Sequence, residues 1–600
     1  MSKASLELGG GNWAAKDRKL LGYAVGDTSG KYIPREFDFT RNSDIAATRI
    51  NKDGLIEKHR ENVLLNSDDF SIAGASDGWG KNNATVTSGY AGYDGTTNAW
   101  KLESTVLTSY NNLNQNETNN AAITPLGSKV STFSVYLKAG TTNWVRLNLN
   151  GTGNVYFDLG KGQVGTASSG NVLGQIEKAG NGFYRCSITR LSGSAFDICY
   201  IYLAESDENL LPNTHSTPEY IFVQHPQLEY GLVATDYLES GAATGKAGVL
   251  EDLPRIDYTG GSAQLLLEPQ RDNWVTQSEH LESSSWYKAR CTIEDNSTTS
   301  PEGVVNASKM TSTDASESYI GHNAAITGTK ATWSFFAKKG DLDYAHGLVW
   351  DTSANGCRQW FNLSTGEVGG TTTFGSGHSV DYATIEDYGN GWYRCAMVVN
   401  LTAGTQGFRV NISSADTTIT SPVNSYGYFY GLQAEDASYP TSYIPTYGTS
   451  VTRNVDVADG ITINTNANHT MLYDLETTSG RESTSSLVSV GYDVSNRYFI
   501  KGTSSSNVQL QVSGIGVFSG NINPTNEVSG RNKIAVQWID GTGYLYCNGV
   551  KQIDTLSNSS SSNDIDYYEL SGSGYSHKTH QFLIFPTALT DSECIALTTL

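Results

Sequence analysis

Two stretches of this chain set aromatic and planar polar side chains in alternation with apolar ones. In NWVRLNLN (143–150), Val145, Leu147 and Leu149 have core character, which turns Trp144, Arg146 and Asn148 to the opposite side. In DICYIYLAE (197–205), Tyr200 and Tyr202 alternate with Cys199, Ile201 and Leu203. A second set lies farther along: Tyr344, His346 and Trp350 share one parity, and Arg409 and Asn411 alternate with Phe408, Val410 and Ile412. A sugar ring presents an apolar C–H face and a rim of hydroxyls. Aromatic rings accept the first, and guanidinium or carboxamide groups pair with the second. These residues therefore suit non-covalent recognition of a glycan, if their strands share a sheet. The competing reading is that loops, a second sheet or a neighbouring subunit cover them.

Covalent chemistry leaves fewer traces. No GxSxG, HExxH, CxxC or phosphate-loop pattern occurs, and Gly9-Gly10-Gly11 follows no βαβ pattern. Two carboxylates at about 5–9.5 Å would serve glycoside hydrolysis, but sequence spacing in a β-sandwich does not give distances. No catalytic residue is assigned, and the expected mechanism is binding without turnover. His577 and His580 sit in a Gly/Ser-rich stretch that reads as an exposed loop, so no metal site is expected there. Glu229 and Glu435 recur near the ends of two similar segments. They read as hydrogen-bonded strand ends, with a structural Ca2+ as the alternative; no other cofactor is expected. The seven cysteines are scattered and read as buried free thiols, with Cys186–Cys199 as the one pairing to check.

The elements that must position these side chains are duplicated. FSVYLKAG ending at Gly140 returns as WSFFAKKG ending at Gly340, and IEKAGNGFYRC (176–186) returns as IEDYGNGWYRC (385–395). QLEYGLVATDY (227–237) returns as QAEDASYPTSY (433–443), so order is kept with a spacing of roughly 200 residues. In FSVYLKA, Phe133, Val135 and Leu137 alternate with Ser134, Tyr136 and Lys138, the period of a half-buried strand. Asn181-Gly182 and Asn390-Gly391 mark hairpins; a two-residue turn at the second would set Asp387 opposite Arg394. The repeated Tyr184, Arg185, Cys186 and Tyr393, Arg394, Cys395 suit folding better than binding.

The expected architecture is all-β and multi-domain: two duplicated jelly rolls followed by a further sandwich. The units are 1–59, with short strands around Asp53-Gly54; 60–240 and 271–450, the jelly rolls; 241–270, a connector; and 451–600. In the last, KIAVQWIDGTGYLYCNGVKQI (533–552) reads as a hairpin with Trp538 in the core, and Thr590 or Asp591 would cap a short terminal helix with Glu593 in its first turn.

Composition bounds the partners. The net charge is −21, which disfavours nucleic acid and anionic membranes. No run of about 20 apolar residues is present, so no membrane insertion is expected. No signal-peptide-like run follows the N-terminus, although the composition suits an extracellular, glycan-facing protein.

Several strings resemble a known group. DFTRNSDIAATRINKDGLIE (38–57), RENVLLNS (60–67), LPRIDYTGG (253–261), LLLEPQRDN (265–273), GNGWYRC (389–395) and YPTSYIPTYGTSVTR (439–453) resemble a tail-fibre-like virion protein family of tailed, especially marine, bacteriophages. Trp538 to Gly549 and Phe585 to Glu593 are similar to hairpin and terminal segments of concanavalin A-like, or laminin G-like, sandwiches. The resemblance implies carbohydrate-binding-module-type jelly rolls on a virion fibre or appendage, held to other virion proteins through residues 1–59. It implies a homotrimer, and host surface polysaccharide as the target. A purely structural head decoration or neck fibre and a polysaccharide depolymerase are the other two readings.

Overall fold

The computed structural model describes residues 4–600 apart from 12, 26–30, 44, 73–77, 107–108, 117–119, 127–128, 150–152, 169–170, 193–197, 211–216, 460–467, 478–484, 494–495, 505–506, 513–519, 523–529, 541, 558–566 and 572–575. Nearly all of its regular structure is antiparallel strand, in an all-β, multi-domain β-sandwich.

Each jelly roll packs two layers, six-stranded except for the first layer of the first jelly roll, where the short strand Asn209–Leu210 adds a seventh beside Ile198–Ser206. In the first, one layer runs Gln163–Ala167, Gly153–Asp158, Trp144–Leu149, Ile198–Ser206, Asn112–Asn116, Gly80–Asn82. We call this layer the platform sheet. The other runs Val172–Lys178, Tyr184–Arg190, Ser131–Ala139, Tyr220–Tyr230, Ala99–Ser104, Ala84–Tyr90. Alternation does what period two requires: Val145, Leu147 and Ile201 face Phe133, Val135 and Ile188 across one buried core. The second jelly roll repeats the plan. Its platform sheet runs Tyr287–Ala289, Tyr319–Ile326, Gly404–Ser413, Tyr344–Asp351, Gly356–Asn362, Glu367–Phe374.

The repeated hairpins close through more than two residues. Asn390 and Gly391 both take positive φ, but Tyr388 N–H donates to the Trp392 carbonyl, and Glu386, not Asp387, lies opposite Arg394. Gly389, also at positive φ, lengthens the turn by the residues that shift the register. Cys186 and Cys199 line the same core from opposite sheets, and both are free thiols. Burial pushes the Cys199 thiol up to about 12.

Residues 1–59 do not form a separate unit. Leu6–Gly9 pairs with His577–Phe585, and Tyr32–Thr40 pairs with Val457–Asp459. The segment 241–270 is more than a connector, because Arg255–Asp257 and Gln264–Leu267 join that same sheet. The physical reason is a shared core. Leu6, Leu8, Leu20, Phe37, Phe39, Leu265 and Leu267 pack with Met471, Ile534, Val536, Phe582 and Ile584 inside a sheet that wraps around on itself. His577 and His580 lie in a strand of this sheet rather than in a loop, with His577 buried beside the Tyr473 hydroxyl at 2.7 Å. Trp538 is buried, and Thr590 caps the terminal helix in a reciprocal pair with Glu593.

One ionic network ties the units together. Arg41 Nη1 lies 3.3 Å from Asp456, Arg255 Nη1 2.7 Å from Glu268 and Arg453 Nη1 2.9 Å from Glu268, with Arg255 also paired to Asp456. The Ser442 amide donates to Glu268 at 2.8 Å. Burial alone would raise the Glu268 carboxyl; Arg453 and Arg255 instead hold it well below the carboxylate range. These residues lie in, or just beyond, the strings that carry the family resemblance, so those strings encode docking of strands and jelly roll.

Candidate functional site

The outward face of each platform sheet is where the aromatic and planar polar residues meet. In the first jelly roll, Arg146 sits opposite Tyr202 on one side and Tyr156 on the other, and Asn148 sits between Tyr200 and Asn154. The next strand adds Asn112 opposite Tyr202 and Asn114 opposite Tyr200. The Arg146 guanidinium lies 4.1 Å from the Tyr202 ring centre, and Tyr200 and Tyr202 stand 4.9 Å apart. Trp144 lies over Gly165, where an added Cβ would come within 2.8 Å of its ring. Trp144, Arg146, Tyr200 and Tyr202 are half-buried, and Tyr110 extends the face as an exposed ring. The asparagine amides pair laterally: Asn114 Nδ2 donates to Asn112 at 3.0 Å and Asn148 Nδ2 to Asn154 at 2.6 Å.

The second face has a different composition. Across its strands run Tyr287, Gly321, Arg409, Leu348 and Arg358 in one row, and Asn323, Gly407, Trp350, Gly356 and Phe374 in the next. The glycines are seats for rings. A Cβ on Gly407 would lie 2.0 Å from Trp350 Nε1, and one on Gly321 2.3 Å from the Tyr287 ring. With no side chain there, Trp350 and Tyr287 lie flat on the sheet and flank Arg409. The Arg409 guanidinium is 4.0 Å from Tyr319, 4.5 Å from Trp350 and 5.7 Å from Tyr287. Tyr344, Trp350 and Arg409 are half-buried.

Two of the nine expected contact residues are floor rather than surface. His346 is fully buried, stacked 4.7 Å from Trp360 and bonded to Ser413 at 2.7 Å. Asn411 is fully buried and donates to Glu317 at 3.3 Å. Both have the expected parity, but neighbours on adjoining strands close over them, so they lie beneath the face. Burial chiefly holds His346 below the ordinary imidazole range, against the pull of Glu317. Burial would raise Glu317, yet His346, Arg358 and Arg409 hold its carboxyl below its usual range.

Sequence reasoning missed Tyr156, Asn112, Asn114, Tyr287, Tyr319, Glu317, Arg358 and Phe374. Tyr287 comes from a three-residue strand too short to show a period. The usable signal was glycine alternating with aromatics in YIGHN and in GFRVN, where small and large residues face one way. The calcium alternative gives way to hydrogen bonding: Glu229 accepts from the Thr235 amide at 3.0 Å, and Glu435 from the Thr441 amide at 3.2 Å and hydroxyl. Both carboxylates pin the loop that follows their strand.

No protein-family model matches this chain, and neither does any curated protein. Solved structures do. The CBM40 of Ruminococcus gnavus IT-sialidase, bound to alpha2,3 sialyllactose, is 17% identical, with 23% of this chain and 93% of that chain covered and a TM-score of 0.20. The CBM22-1-CBM22-2 tandem of Paenibacillus barcinonensis Xyn10C is 12% identical over 66% of this chain and 99% of that one, with a TM-score of 0.21. Trypanosoma rangeli sialidase is 10% identical over 95% of each chain, with a TM-score of 0.19. At such scores the likeness carries no argument about ligand or chemistry. The expectation of binding without turnover is nevertheless corrected: sialidases stand among the structures this chain resembles, and absence of activity is no part of its description.

Proposed function

We propose that this chain is a glycan-binding protein whose two platform sheets each hold a saccharide against half-buried aromatic rings. One observation carries the reading. On both sheets the outward face combines rings laid flat with arginine and asparagine groups, and the apolar parity is fully spent on the core. On the strength of its sequence strings, we further propose that the chain works as a fibre or appendage subunit of a bacteriophage particle. It would be assembled as a homotrimer, attached to other virion proteins and directed at host surface polysaccharide. Several copies on one particle would turn weak individual sites into firm adhesion.

The test is binding of the purified full chain to immobilised lipopolysaccharide and capsular polysaccharide from a panel of bacteria. Saturable binding to at least one, removed by enzymatic digestion of the polysaccharide, is expected. A folded protein that binds none of them would overturn the glycan reading and favour a spacer or decoration role.

A further inference from the structure

The two platform faces are built for different sugars. We propose that the second jelly roll takes glycans bearing carboxylates, of the uronic-acid class, with Arg409 as the group that reads the acid. The proposal rests on the glycan-binding reading above and names the class of ligand for one of its two faces.

Arg409 is the decisive residue. Among the described residues its guanidinium makes no hydrogen bond and no ion pair, and its contacts are ring faces. Its Nε is buried against those rings without a partner, so the terminal nitrogens form the open end of the fork. A planar guanidinium held by stacking has lost most of its freedom before any ligand arrives, and its donor geometry matches a carboxylate with two parallel bonds. Hydroxyls pair with amides and water equally well; a pre-set cation with no hydrogen-bonded acid of its own selects an anion.

The surroundings leave that charge unspent. Glu317 lies close to Arg409 on this face, and it is engaged by Arg358 Nη2 at 3.3 Å, by Asn411 at 3.3 Å and by His346 Nε2 at 4.0 Å. Arg358 and Glu317 offset each other, and burial disfavours a charge on His346. Two guanidinium groups, Arg358 and Arg409, act on the one Glu317 carboxylate, which leaves that trio with a net positive charge on a chain whose total is −21. That background matters for specificity. The molecule as a whole repels polyanions, so affinity for an acidic glycan must come from a local site.

The first jelly roll supplies the contrast. There the row Gly80, Asn114, Tyr200, Asn148, Asn154 replaces the row Tyr287, Gly321, Arg409, Leu348, Arg358. Its arginine, Arg146, belongs to the next row, where it lies 4.1 Å from the Tyr202 ring centre and 5.9 Å from that of Tyr156. Asn114 and Asn148 are buried, so their row offers a ligand the half-buried Tyr200 phenol and no cation, which suits neutral hydroxyl-rich sugars. Duplication kept the core parity and exchanged the outward side chains, which is the expected result if the two faces parted in ligand.

The experiment compares polygalacturonic acid, alginate and hyaluronan with the same polymers after chemical reduction of their carboxyl groups, using the full chain. At least one acidic polymer should bind tenfold or more tightly than its reduced form. Arg409→Gln should abolish that preference, Arg409→Lys should restore only part of it, and Lys52→Gln, in an exposed turn outside both faces, should leave it in place. Melting curves of all three variants check that the fold persists. Equal or better binding of the reduced polymers, or a preference that survives Arg409→Gln, would overturn the assignment. Binding confined to neutral glycans would overturn it while leaving the glycan reading intact. Binding of no glycan at all would overturn both.

Discussion

At the scale of single residues, the account turns on glycines as much as on aromatics. Gly407 touches no ligand in this reading, yet it fixes where Trp350 lies. Gly407→Ala places a methyl group 2.0 Å from Trp350 Nε1 and must lift the indole off the sheet. We expect glycan binding by the second face to fall about tenfold, a loss of about 1.4 kcal/mol. Gly241→Ala, where nothing lies within 4 Å of the added carbon, should change neither binding nor melting. Titration of both variants with the same polysaccharide checks this. The outward parity of Trp144, Arg146, Tyr200, Tyr202, Trp350 and Arg409 was legible from alternation alone. Their neighbours were not, because which strand lies beside which is a non-local property. Tyr287 reaches Arg409 across Gly321, from a strand with no periodic signal of its own. His346 and Asn411 had the right parity and the wrong depth, since depth depends on the size of groups on adjoining strands.

At the scale of elements, the strands of each jelly roll were readable because both copies repeat the same alternation and the same Asn-Gly turn. The N-terminal strands were not. Leu6, Leu8, Phe37 and Phe39 are too few to mark a core by themselves, and their partners come after residue 450. Their burial predicts a strong dependence. Removing residues 1–40 uncovers the edge of His577–Phe585 and the apolar faces of Met471, Phe582 and Ile584. The truncated chain should lose protection from amide hydrogen exchange in Thr470–Glu476 and His577–Phe585, while the strands of both jelly rolls stay protected. Unchanged protection in those two strands would show that the N-terminal segment is dispensable to the sheet.

At the scale of the whole molecule, the strings that look most diagnostic in the sequence, FTR, LPRID, LLLEP and PTSYIPT, meet at one buried network of Arg41, Arg255, Arg453, Glu268 and Asp456. Removing one partner of such a network leaves a buried charge uncompensated and costs about 3–5 kcal/mol. Glu268→Ala should therefore lower the melting temperature sharply. The network also sets an acid response. The Glu268 carboxyl is depressed in the folded chain relative to the 4.5 of an unperturbed glutamate. Its contribution to stability is then fully present above about pH 4.5 and is lost as pH falls through that value toward its folded pKa. Denaturant midpoints measured from pH 7 downward should drop below about pH 4.5 in the natural chain, and less steeply in Glu268→Gln, where that carboxyl no longer titrates.

The central claim is that the outward faces of the two platform sheets bind sugar. The most direct measurement is a glycan-array titration of the full chain beside a Trp144→Ala, Trp350→Ala double variant, each confirmed as folded by its melting curve. The account predicts saturable binding by the natural chain that falls at least tenfold in the double variant, with melting lowered by only a few degrees, about 1–2 kcal/mol in a chain of this size. Binding that is undiminished in the double variant, or a large fall in melting temperature with binding intact, would mean that these tryptophans are core residues and that the platform faces are not the site.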